Sequence, residues 1–107
     1  MPHSVRHTLT CYLTCRAWKE GDLFVAEAVA LPVASQGETE GEAMGNLLEA
    51  LQLFIECCIS RGTLEQVLLK HHWRPALRPP RELPRGSFAL PVPLPSDFKR
   101  QLEACRT

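Results

Sequence analysis

Val33-Ala34-Ser35-Gln36-Gly37-Glu38-Thr39-Glu40-Gly41-Glu42-Ala43 is the stretch whose reading settles the fold. Val33 to Gln36 is a short β-prone run that stops at Gly37, a residue suited to a tight bend. Thr39 and Glu42 then form a capping box: the Thr39 hydroxyl accepts from the Glu42 amide while the Glu42 carboxylate reaches back over the turn. Beyond it, Ala43, Leu47, Ala50, Leu51, Phe54 and Cys58 recur at steps of three and four residues, with Met44, Leu48 and Ile55 widening the stripe. That spacing predicts a long amphipathic helix, closed by Gly62 as its C′ residue. Thr63-Leu64-Glu65-Gln66 reads as a second capping box, opening a short helix to about Lys70 with Leu64, Val67 and Leu68 inward.

Upstream, Leu9, Cys11, Leu13, Cys15 and Ala17 alternate with Thr8, Thr10, Tyr12, Thr14 and Arg16, the period of a half-buried strand. Lys19-Glu20-Gly21-Asp22 is a polar turn, and Leu23-Phe24-Val25-Ala26 is the returning strand of a hairpin. Downstream, seven of the nine prolines lie between Pro75 and Pro95. Residues 71–86 therefore read as a Pro/Arg-rich linker, extended from residue 74 onward.

Phe88-Ala89-Leu90-Pro91-Val92-Pro93-Leu94-Pro95 follows, with proline at alternate positions. The missing N–H groups all fall on one lateral edge, and the donors of Leu90, Val92 and Leu94 stay on the other, so this segment can pair on one side only. Ser96 can cap a last short helix containing Phe98, Leu102 and Cys105. A fourth, edge strand that completes the sheet is favoured over half of a ribbon-helix-helix unit, because no second helix follows. The division expected is residues 1–70 as the main domain, 71–86 as linker, and 87–107 as final strand and short helix. Overall this is a small α+β protein: a β-β-β-α-β antiparallel sheet with one long helix packed on it and a second, short helix.

At 107 residues, 45% apolar and 22% charged, the chain suits one compact soluble domain. No run of about 18 uncharged apolar residues is present, which excludes a simple membrane span, and Met1 to His7 shows no export core, so a cytoplasmic location without membrane association is expected. The net charge is zero but uneven. Residues 1–70 hold five Lys/Arg against nine Asp/Glu, a balance of −4, and residues 71–107 hold seven against three, a balance of +4. An acidic body with a basic tail suits charged partners of either sign. The five cysteines, Cys11, Cys15, Cys57, Cys58 and Cys105, match no zinc-ligand spacing and are expected to be reduced thiols. No P-loop, G-x-S-x-G or H-E-x-x-H pattern appears, so no catalytic residue, metal or cofactor is assigned and no enzyme is expected.

From Tyr12 to Leu69 the chain resembles the N-terminal domain of the HicB antitoxin family. The resemblance is carried by Lys19-Glu20-Gly21-Asp22-Leu23-Phe24-Val25-Ala26, by Leu31-Pro32, by Ser35-Gln36-Gly37-Glu38-Thr39, and by Glu42-Ala43, Asn46, Glu49-Ala50 and Leu53 in the helix. Arg61-Gly62-Thr63-Leu64-Glu65-Gln66-Val67-Leu68 is similar to an extension of some stand-alone members. The family's Gly after Leu-Pro is Val33 here, its following Cys is Ala34, and its usual C-terminal DNA-binding domain is not present in full. The resemblance implies part of a ribonuclease H-like fold without its catalytic carboxylates. It also implies a HicA-type, mRNA-cleaving toxin as partner, and self-association as a homodimer or larger homo-oligomer.

A toxin that cleaves RNA is expected to be basic, which makes Glu20, Asp22, Glu27 and Glu38 the candidate partner-binding residues. A rival reading is nucleic-acid binding, DNA or RNA, through Arg74, Arg78, Arg81 and Arg85, with an exposed Trp73 available to stack on a base. A self-associating scaffold without a toxin is the third.

Overall fold

The computed structural model describes residues 9–95 and Phe98. Its elements run β1 (Leu9–Glu20), β2 (Leu23–Ala28), β3 (Ala34–Gly37), α1 (Glu40–Arg61), α2 (Leu64–Lys70) and β4 (Ser87–Leu94). The strands make one antiparallel sheet in the order β3-β2-β1-β4, and the fold is the α+β arrangement that the hydrophobic pattern predicts. β1 and β2 stay paired to Glu20↔Leu23, so the turn is Gly21-Asp22 alone rather than four residues. Lys19 and Glu20 continue the alternation, and Gly21, at φ 62, supplies the positive angle that a type II′ turn requires at its first position.

The core lies between one sheet face and α1. Cys11, Leu13 and Cys15 of β1, Ala26 and Ala28 of β2, and Leu90, Val92 and Leu94 of β4 meet Ala43, Leu47, Leu51, Ile55 and Cys58 of α1. The period of two on the strands and the three-to-four step on the helix put these residues on facing surfaces. By length and hydropathy α1 would also suit a membrane span; Ala43, Leu47, Leu51, Ile55 and Cys58 of its stripe pack on the sheet. Ala50 and Phe54 stand at the rim of that stripe, only half-buried.

The first capping box forms in modified shape. Glu42 N–H donates to Thr39 Oγ1 at 3.0 Å, and Glu42 Oε1 accepts from the Glu38 N–H at 2.9 Å, one residue earlier than in the standard pattern. Gly62 closes α1 at φ 70, where the N–H groups of Gly62 and Thr63 reach the carbonyls of Ile59 and Cys58. The second capping box does not form. The Thr63 hydroxyl faces back to the Cys58 carbonyl at 3.5 Å and caps nothing in α2, because this residue is already used in closing α1. α2 ends in the same way, with Trp73 N–H on the Leu68 carbonyl and His72 at φ 50 where α1 has Gly62.

β4 lies antiparallel along β1 from Leu9↔Leu94 to Arg16↔Ser87. Leu90, Val92 and Leu94 turn inward while Pro91 and Pro93 fall on the register positions that do not bond to β1, so the outer edge is proline-lined. At the opposite edge, Asn46 Nδ2 donates to the Gln36 carbonyl at 2.9 Å and occupies an acceptor of β3. Residues 71–86 contain no helix, yet they are attached. Tyr12 N–H donates to the Ala76 carbonyl at 2.8 Å, on the edge of β1 that β2 leaves beyond Cys15↔Ala28. Trp73 is buried. Phe98, in a helical position, is buried too; Ser96, Leu102 and Cys105 of the expected final helix lie outside the described residues.

Candidate functional site

The register sets three of the four acidic candidates at one end of the sheet. Glu20 pairs with Leu23, and Phe24 pairs with Gly37, so Glu38 emerges beside Leu23 next to the Gly21-Asp22 turn. Glu20, Asp22 and Glu38 are all exposed there. Glu40 and Glu42, in the first turn of α1, add to the same end, although Glu42 is engaged as a cap. Charge-counting along the chain did not single these two out; the capping box was their signal. Glu20 is partly committed, since its Oε2 accepts from Trp18 Nε1 at 3.1 Å.

Glu27 stands apart. It sits near the C-terminal end of β2 on the sheet face away from α1, and Arg16, directly across on β1, pairs with it at 2.6 Å. An exposed cross-strand pair of this kind contributes about 0–1 kcal/mol, and it neutralises the carboxylate that the sequence offered for partner contact. Strand register thus gathers Glu20, Asp22 and Glu38 at one end of the sheet and leaves Glu27 apart from them, paired with Arg16.

Arg74, Arg78, Arg81 and Arg85 are all exposed along residues 71–86, and among the described residues none of them makes an ion pair. The aromatic part of the nucleic-acid reading is corrected. Trp73 is only 6% exposed, and its ring centroid lies 6.5 Å from that of Phe98 in a tilted arrangement. A ring packed in this way stabilises the core and offers no face to a base. Where this segment meets β1, a cleft of about 420 Å³ is lined by Tyr12, Thr14, His72, Arg74 and Pro84 among others. Among the described residues, no three His, Cys, Asp or Glu side chains gather as a metal site would require.

The thiols divide sharply. Cys57 is exposed, whereas Cys11, Cys15 and Cys58 are buried. Burial pushes the Cys11 thiol from 9.0 up to about 12, against a smaller opposing hydrogen bond from the Ala76 backbone. It pushes Cys15 up to about 11, and Cys58 upward as well. Because the folded state holds these protons more tightly, stability is level below the unfolded value and falls as pH rises above it. Cys11 and Cys15 together should remove about 3 kcal/mol by roughly pH 10. Guanidinium unfolding in reductant at neutral pH and at pH ~10 measures this loss. Cys11→Ala combined with Cys15→Ala should flatten it.

Compared with known proteins, the chain matches no family model, no curated protein and no solved structure.

Proposed function

We propose that this protein is a cytoplasmic HicB-like antitoxin, with a partial ribonuclease H-like domain that binds a HicA-type, mRNA-cleaving toxin and blocks it, and that it self-associates. The observation that carries the reading is the convergence of Glu20, Asp22 and Glu38 at one exposed end of the sheet. An acidic surface of this kind steers a basic ribonuclease and complements it. The local sequence agrees: Gln36-Gly37-Glu38-Thr39, the strongest fragment of the resemblance, occupies the junction from β3 into α1.

Co-expression with HicA-type toxins tests this. The wild-type chain should restore growth against its matching toxin. Glu20→Lys with Asp22→Lys should slow association by about tenfold at low salt, with a smaller effect at high salt. Failure of the wild-type chain to bind or protect against any HicA-type toxin removes the proposal.

The four exposed arginines favour a second reading, contact with nucleic-acid phosphate, compatible with the first. It requires retardation that falls steeply with salt and is lost when Arg74, Arg78, Arg81 and Arg85 become Ala.

A further inference from the structure

Acidic side chains at a solvent-exposed end speed an encounter, but tight association generally needs apolar side chains that become buried at its centre. Such a surface exists elsewhere on the molecule. Beside its core stripe, α1 carries Ala50, Leu53, Phe54 and Cys57 on a face that the sheet does not cover. Val33, Cys58, Thr63 and Val67 complete an open groove of about 540 Å³, with Arg61 at the far end of α1. Leu53 is 62% exposed, and Cys57 is exposed beside it. From Ala50 to Arg61 the groove follows α1 for about 17 Å, or three helical turns.

Charge tells what fits it. Glu49, Gln52 and Glu56 line an adjoining depression that shares Leu53, so the apolar floor has an acidic flank. Along α1 the charges are Glu40, Glu42, Glu49 and Glu56 against Arg61 alone. A second copy would present an α1 surface that is itself net acidic, four carboxylates against Arg61, and so would complement this flank less well than a cationic segment does. Strand addition is a poor alternative, since prolines line the β4 edge and Asn46 occupies an acceptor on the β3 edge.

We infer that the groove along α1 is the docking site for a cationic amphipathic segment of the toxin, with an apolar side chain seated between Leu53, Cys57 and Val67 and basic groups at Glu49 and Glu56. The partner's identity rests on the antitoxin reading; the chemistry of the segment rests on the groove alone.

Cys57 provides the readout. In full-length chain carrying Cys105→Ser, maleimide alkylation of Cys57 is followed with and without a helical peptide of about 14 residues, Leu on one face and Lys on the other. Binding should slow alkylation about tenfold at saturation, and the same peptide with Glu for Lys should give no protection. Leu53→Asp, and separately Glu49→Lys with Glu56→Lys, should each weaken binding about tenfold by fluorescence anisotropy, while thermal melting, governed by the buried face, changes little. Equal binding of the Lys and Glu peptides, or alkylation that stays fast, overturns the inference.

The toxin assay separates the two proposals. If toxin protection survives both sets of groove substitutions, the groove inference falls and the antitoxin reading stands. If the Lys peptide binds as described but no HicA-type toxin is bound, the groove stands and the antitoxin reading falls.

Discussion

Trp73→Ala is expected to lower the stability of this protein by about 4 kcal/mol, the range for losing a buried Trp, and its melting temperature by roughly 20 °C. Trp73 follows α2 directly and lies within a Pro/Arg-rich stretch whose composition suggests a solvated connector. The ring is nevertheless inside the molecule, against Phe98, and its backbone N–H closes α2 on Leu68. Truncation at Trp73 would remove the contact that ties residues 71–86 to the core and would leave a cavity beside Phe98. Trp73→Phe, which keeps an aromatic ring, should recover about half of the loss. Urea midpoints for the two variants provide the measurement. A cost for Trp73→Ala below about 1 kcal/mol would show that residues 71–86 hang loosely on the domain.

Gly37→Ala is expected to cost about 3 kcal/mol, although an added methyl is the smallest change available. Gly37 is buried where β3 hands over to α1, and a Cβ there would lie 2.7 Å from the Ala43 backbone nitrogen and 2.9 Å from the Glu42 carbonyl carbon. Those are backbone atoms of the first helical turn, held by the Thr39 and Glu42 caps, so they cannot swing aside. Gly21 makes the informative contrast. Its φ of 62 disfavours a side chain, but a Cβ would meet nothing within 4 Å. Gly21→Ala should therefore cost only the conformational penalty of about 1–2 kcal/mol. Denaturant midpoints should rank Gly37→Ala below Gly21→Ala. The reverse order would mean that the junction relaxes more readily than its caps suggest.

The elements were legible where a single period ran uninterrupted. Alternation from Leu9 to Ala17 and the three-to-four step from Ala43 to Cys58 needed no tertiary information, and the proline spacing from Pro91 to Pro95 fixed which edge of β4 could pair. The misreadings came where one residue had two local uses. Thr63 could open α2 or help close α1, and the carbonyls freed by Gly62 drew it to the latter. Trp73 looked exposed because its neighbours are arginines and prolines, while its burial depends on Phe98, far along the chain.

The acidic candidates show the same limit. Glu20, Asp22, Glu27 and Glu38 are equivalent as entries in a charge count, but strand register places Glu20, Asp22 and Glu38 together and sets Glu27 opposite Arg16. The groove along α1 was invisible for a related reason. Ala50 and Phe54 belong to the helix's apolar pattern, and nothing in that pattern tells which part of a broad stripe the sheet will cover.

By itself, then, the amino-acid sequence determined the α+β class, the order of strands and helices, the bend at Gly37 and the one-sided pairing of β4. Backbone periodicity, capping chemistry and missing N–H groups act over a few residues and are written locally. Only the tertiary structure decided that Trp73 is core, that Glu27 is neutralised and that Leu53 remains uncovered. Each of these depends on which distant residue arrives alongside, and register and packing across the whole sheet set that.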